Sequence, residues 1–163
     1  MILVAVGTQF PFDRLIETVD RWAGQTFTTD VVAQTGSSCY APRHIAARAF
    51  VPPAEFQALL ERADVVIAHC GMGSILSALT LGKEIVVMPR SAALGEHRND
   101  HQFSTAKRFA DQPGVTVAWN EQELVEVLSS ITDRRMVAPP APISVKAPRA
   151  LTDKLRAFLM AGD

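Results

Sequence analysis

The sequence predicts an α/β domain with a doubly wound parallel sheet, and three observations carry that expectation. Apolar runs of four or five residues recur along the chain, as in strands buried on both faces. Amphipathic helical patterns alternate with these runs. Glycine-containing turns stand where a strand should hand over to a helix.

The first run is Ile2-Leu3-Val4-Ala5-Val6, ended by Gly7-Thr8, and it reads as a central strand. From Phe12 onward, Phe12, Leu15, Ile16, Val19, Trp22 and Ala23 recur at three- and four-residue intervals, which predicts an amphipathic helix. Val31-Val32-Ala33 is a second strand and residues 47–51 a short third one. A helix carrying Phe56, Leu59, Leu60 and Ala63 should begin after Pro52-Pro53. Val65-Val66-Ile67-Ala68 is followed by His69-Cys70-Gly71-Met72-Gly73 and then by a helix from Ser74 to about residue 81, which Gly82 ends. A strand over 84–88, a polar loop over 90–99, a helix over 100–110, a strand over 115–118 and a helix bearing Leu124, Val125, Leu128 and Ile131 complete the series. The expected organisation is therefore one domain over 1–132, a connector over 133–149 containing Pro139, Pro140, Pro142 and Pro148, and an amphipathic helix over 150–163. That last helix places Leu151, Leu155, Phe158 and Leu159 on one face.

Composition excludes several classes. The 163 residues fit one domain, and 16 Lys+Arg against 17 Asp+Glu leave no basic footprint for nucleic acid. Locally, residues 133–156 hold six basic and two acidic side chains, which suits either a solvated surface or an acidic partner. No apolar run approaches the ~18 residues of a membrane span, and no basic region precedes the first apolar run. A soluble, cytoplasmic chain is expected. Cys39 and Cys70 are too few for a disulfide scaffold.

In open α/β sheets ligands bind beyond the carboxyl ends of the strands, so the turn at Gly7, Thr8 and Gln9, residues 69–74 and residues 90–102 should share one edge. In Gly71-Met72-Gly73-Ser74, two glycines permit close backbone approach, and a helix N-terminus offers free N–H groups to an anion such as a diphosphate. The same pattern also serves a plain strand-to-helix turn with Ser74 as the N-cap. The dinucleotide fingerprint is absent: its glycines should follow the first strand, and position 76 is Leu. No Walker A pattern occurs, so neither a nicotinamide dehydrogenase nor a P-loop enzyme is expected. His97 and His101 have the spacing of one helix face, yet Arg98 stands where a zincin needs Glu, so a helix start with hydrogen bonds for a polyhydroxylated ligand is the favoured reading over a metal site. A flavodoxin-like flavin site would need a Ser/Thr-rich first loop, which this chain lacks.

Three stretches in order, VGTQFPFDRLI near the start, ADVVIAHCGMGSILSALTLGKEIVVMPR over 63–90 and GEHRNDHQ over 95–102, resemble the C-terminal domain of glycosyltransferase family 28. The likeness covers residues 2–131 and is greatest to small, separately encoded donor-binding subunits of two-subunit enzymes. It implies the Rossmann-like half of a two-domain GT-B glycosyltransferase that binds a UDP-sugar. By that resemblance Phe50 and Val51 hold uracil through their backbone, Gly71, Met72, Gly73 and Ser74 hold the diphosphate, and His101 and Gln102 contact the donor sugar. His69 and Glu96 stand beside these groups, and Gly7 and Thr8 approach the diphosphate or acceptor from the other side. Relatives commonly carry Glu three residues after the Ser of this turn, for ribose, whereas this chain has Ser77.

The resemblance further implies an inverting, metal-independent hexosyltransferase without a cofactor, acting in exopolysaccharide or glycolipid synthesis on a lipid-linked acceptor. It places the general base on a membrane-associated acceptor-binding subunit, to which the C-terminal helix would cross. The chain would then be peripheral at the cytoplasmic membrane. The competing expectation from the residues is a non-catalytic nucleotide-binding regulatory module of the same fold.

Overall fold

The computed structural model describes residues 1–133 and 140–144. Its elements run β1 (Ile2–Ala5), α1 (Asp13–Thr26), β2 (Val31–Gln34), β3 (Ala46–Arg48), α2 (Pro53–Arg62), β4 (Val65–His69), α3 (Met72–Thr80), β5 (Glu84–Met88), a 3-10 turn (Ala92–Leu94), α4 (His101–Phe109), β6 (Val115–Val117) and α5 (Glu121–Asp133). All strand pairs are parallel, in the order β3-β2-β1-β4-β5-β6.

The continuous apolar runs are explained by the two faces. Val4, Ile67, Val86 and Met88 point into one core with Leu15, Ile16, Val19 and Trp22 of α1 and Leu124 and Leu128 of α5. Their neighbours Leu3, Val66, Ala68, Ile85 and Val87 point into the other, with Leu60 of α2, Ile75 and Leu79 of α3 and Ala106 of α4. With side chains alternating across the pleat, only an uninterrupted apolar strand fills both layers.

Chain order reverses between β1 and β4. From β1 the sheet grows one way through α1, and from β4 it grows the other way through α3, which opens a crevice between the carboxyl ends of β1 and β4. The loop after β2 is held to α1 by Asp20, a buried carboxylate that accepts N–H groups of Arg43, His44 and Ile45 and the Tyr40 hydroxyl. Burial opposes the Asp20 charge, but those donors outweigh it and keep the carboxyl below its ordinary range.

Beyond shifts of a residue at element ends, three features differ from the sequence expectation. The third strand is Ala46–Arg48 rather than 47–51, because Val51 leaves the sheet and gives its N–H to the Gln34 side chain. The helix expected from Ser74 starts at Met72, with Gly71 as N-cap. Residues 90–99, expected as a polar loop, contain the 3-10 turn closed by Gly95 in the left-handed region. The described part of the connector lies on the domain: Ile143 donates its N–H to the Leu79 carbonyl, and Pro140 and Pro142 lie against Gly82 and Gly114 at the amino edge of the sheet. The expected helix over 150–163 lies outside the described residues.

Candidate functional site

The crevice at the chain reversal is built around His69, the last residue of β4. Its ring fills the space between Gly7 and Gly71: a Cβ at Gly7 would stand 3.1 Å from His69 Cε1, and one at Gly71 would collide with His69 Nε2. Gly7 also needs its positive φ of 76° to turn the chain out of β1. His69 Nδ1 faces the Ala5 carbonyl at 3.4 Å, which assigns the proton to Nδ1. Burial, with the positive charge of Arg90 next, lowers the His69 pKa to about 4. The imidazole is therefore neutral near pH 7.

Because the unfolded His69 protonates near its ordinary 6.5 and the folded one near about 4, the unfolded state gains protons first on acidification. The His69 contribution is complete above pH 6.5 and is lost as pH falls toward about 4. We expect the urea midpoint to drop across this window more steeply in the native chain than in His69→Asn. A His69 ring that titrates near its ordinary pKa in an NMR pH series would contradict the packing described.

Beyond His69 the chain turns directly into α3. The Gly71 N–H is returned to the His69 carbonyl at 2.7 Å, and the first intrahelical bond runs from the Ile75 N–H to the Gly71 carbonyl at 3.1 Å. The N–H groups of Met72, Gly73 and Ser74 thus have no partner within the helix, as at any helix start. The two glycines differ. Gly71 makes room for His69, whereas a Cβ at Gly73 would meet nothing within 4 Å. Gly73 lies instead on an open cleft of ≈ 340 Å³, shared with Ala5, Val66 and His69 of the sheet, Phe56 and Leu60 of α2, and Ser74 and Ser77 of α3. Ser77 of α3 also lines this cleft. Free amides, the helix dipole and empty space converge on one point, an arrangement suited to an anion.

The other expected residues divide into exposed groups and supports. Thr8 and His101 are exposed, and Met72 is half-exposed beside the free amides. Phe50 is 61% exposed, whereas Val51 is buried with its N–H taken by Gln34, which leaves only its carbonyl for a base. His101 opens α4, its ring held by Asn99 and in edge contact with His97 at 4.5 Å. His97 in turn packs on Phe10 at 4.8 Å. Among the described residues no third His, Cys, Asp or Glu joins this pair.

Glu96, expected among the donor-binding residues, is buried and bonded to Arg14 and Ser91. Its two oxygens accept Nε and Nη2 of Arg14 at 2.7 and 2.8 Å, and one also accepts the Ser91 N–H at 2.8 Å. Gln102 is buried, with Oε1 accepting the Arg90 N–H at 3.1 Å.

Sequence reading passed over Arg90. It is only 2% exposed: its Nη2 donates to the Val6 carbonyl, its Cζ lies 5.0 Å from the Phe12 ring centre, and its Nε has no partner among the described residues. Among the described residues no carboxylate forms an ion pair with it. The signal was a charged residue two positions after the apolar run Ile85 to Met88, at the carboxyl edge of the sheet.

A six-stranded parallel sheet in this order, with helices on both faces and a crevice at the chain reversal, defines a Rossmann-like α/β domain. The chain belongs to the glycosyltransferase family 28 C-terminal domain, whose sequence pattern matches residues 1–150. Solved structures share the fold. The glycotransferase of kitacinnamycin superposes with a TM-score of 0.61 at 22% identity, covering 82% of this chain and 34% of that one. The solution structure of ALG13 gives 0.61 at 18% identity, covering 94% and 93%. MurG of Acinetobacter baumannii gives 0.59 at 19% identity, covering 82% and 41%. The chain therefore spans about a third of the first of these, and nearly all of the second. A comparison with curated proteins returned no match. Among the described residues no helix is long and apolar enough to cross a membrane.

Proposed function

We propose that this chain is the donor-binding subunit of an inverting, metal-independent glycosyltransferase that takes a UDP-sugar and transfers a hexose-type sugar to a lipid-linked acceptor, as in exopolysaccharide or glycolipid synthesis. The carrying observation is the open α3 start at the chain reversal, with unbonded amides at Met72, Gly73 and Ser74 and no side chain in the space before Gly73. In this reading the diphosphate meets those amides. The nucleoside enters the cleft between α2 and α3, near Phe50, the Val51 carbonyl and Ser77, and the sugar lies toward His101 and the amide of Gln102. Gly7 and Thr8 face the same space from β1, and His69 holds the two turns apart.

The acceptor hydroxyl attacks the anomeric carbon as the bond to the UDP oxygen breaks. The helix amides stabilise the negative charge that grows on the departing diphosphate. His69 is a poor base for the hydroxyl proton, being buried with a pKa of about 4. The base belongs, in this proposal, to a membrane-associated acceptor-binding subunit, which supplies the second wall of the cleft and holds the acceptor in attack geometry. The C-terminal segment, through Leu151, Leu155, Phe158 and Leu159, docks on that subunit and keeps the chain at the cytoplasmic face of the membrane.

The test is a chain lacking residues 151–163, assayed for UDP binding, for co-purification with the partner and for transfer. Intact binding with lost association and lost transfer supports the proposal. An unaffected complex contradicts the docking role, and UDP binding without turnover in the intact complex would make the chain a regulatory nucleotide-binding module.

A further inference from the structure

We infer that Arg90 is the charge-bearing positioning residue of the donor site, a buried cation whose missing counter-charge is the diphosphate of the ligand. The inference rests on the donor-binding reading above and adds a residue to it.

A guanidinium that is 2% exposed and has no carboxylate partner is an expensive arrangement unless something else compensates it. Among the described residues Arg90 has only neutral bonding partners: the Val6 carbonyl after β1, the Phe12 ring, and, at its own N–H, the Gln102 side chain. The Glu96 charge acts on it, but both Glu96 oxygens are bound by Arg14. The charge therefore remains largely uncompensated, and Nε remains without a hydrogen-bond partner.

Its position is informative. Arg90 follows β5 by two residues, and Met88 of β5 is paired with His69 of β4. The positive charge of Arg90 acts on His69, whose ring in turn packs against Gly71 at the N-cap of α3. It also acts on His97 in the loop before α4. Arg90 thus stands behind the crevice, between the β1 turn and the α4 start, and it fixes both: one through Val6, the residue before Gly7, the other through Gln102. Shielded from water, such a charge attracts an anion without exposing a flexible side chain to it. At an effective dielectric of about 20, a pair of unit charges roughly 10 Å apart is worth more than a tenfold change in Kd.

The test compares UDP with uridine on the full chain by calorimetry, because only UDP carries the charge. Arg90→Met is expected to reduce the preference for UDP over uridine about tenfold or more, with uridine affinity little changed. An unchanged preference, or equal loss for both ligands, would overturn the inference and leave Arg90 a structural residue. Salt provides a second readout that needs no variant. A buried charge is poorly screened, so the preference of the native chain should fall less than about threefold between about 0.05 and about 0.5 M NaCl. Collapse of the preference over that range would assign the attraction to exposed cations such as Arg98 and overturn the inference. A native chain that binds neither ligand refutes the donor reading itself, whereas one that prefers UDP by an Arg90-independent route refutes only the role of Arg90.

Discussion

Gly73→Val is expected to leave the domain folded and to weaken UDP binding on the order of 100-fold, or about 2.7 kcal/mol. The substitution is tolerable for the fold because a Cβ at Gly73 meets no atom within 4 Å, and its backbone is helical rather than left-handed. It is damaging for the ligand because the added methyls occupy the space in front of the Met72, Gly73 and Ser74 amides, where the diphosphate is proposed to sit. Gly71→Ala is the contrasting control: its Cβ would collide with His69, so it should lower the melting temperature before it lowers affinity. Calorimetry of UDP on Gly73→Val, with circular dichroism to verify the fold, checks the expectation. Unchanged affinity would remove the phosphate turn from the site.

Glu96→Ala is expected to destabilise the chain by about 3 kcal/mol. It leaves the mostly buried Arg14 with only the half-exposed Glu121 and the Pro89 carbonyl, and frees the Ser91 N–H, so the loop from Ser91 to His101 loses its Glu96 anchor to α1. Burial opposes the Arg14 charge, but Glu96 and then Glu121 hold the guanidinium pKa above its ordinary value, a sign that the pair is favourable as it stands. Replacing both partners by apolar residues, Arg14→Met with Glu96→Leu, should recover much of the loss, because no charge is then left buried alone. Chemical denaturation of the two singles and the double measures this coupling. Additive single effects would show that Glu96 does not act through Arg14. Since the loop leads into His101 and Gln102, Glu96→Ala should also weaken binding of a UDP-sugar more than binding of UDP.

What the sequence disclosed, and what it hid, follows from the range of the interactions. Strands β1, β4 and β5 are legible because burial on both faces demands an unbroken apolar run, a local property of the chain. The edge strand β3, exposed at Ala46, Ala47 and Arg48, has no such demand on it. Its bounds depend on Gln34 capturing the Val51 N–H from 17 residues away. The start of α3 was displaced for a related reason. Ser74 has the preferred N-cap side chain, but the collision limit set by His69 requires glycine at 71, and the helix begins there instead.

The same division applies to the site. Glycines 7, 71 and 73 announce a turn at a strand end, and the three loops do share one edge. The division of labour between Gly71 and Gly73 appears only when the His69 ring is placed. The bonding of Glu96 could not be read from the sequence, because its partner Arg14 is 82 residues earlier. Arg90 was hidden because no spacing rule marks a cation that bonds to a carbonyl 84 residues away and is left without a counter-ion.

The central claim, that the α3 start is the anion-binding point of a donor site, is tested most directly by an amide NMR titration of the full chain with UDP. The account predicts saturable shifts of the Met72, Gly73 and Ser74 amides, accompanied by Gly7 and His69 and absent in Gly73→Val. Shifts confined to the opposite sheet edge, around Gly82 and Gly114, or no shifts at millimolar UDP, would contradict it.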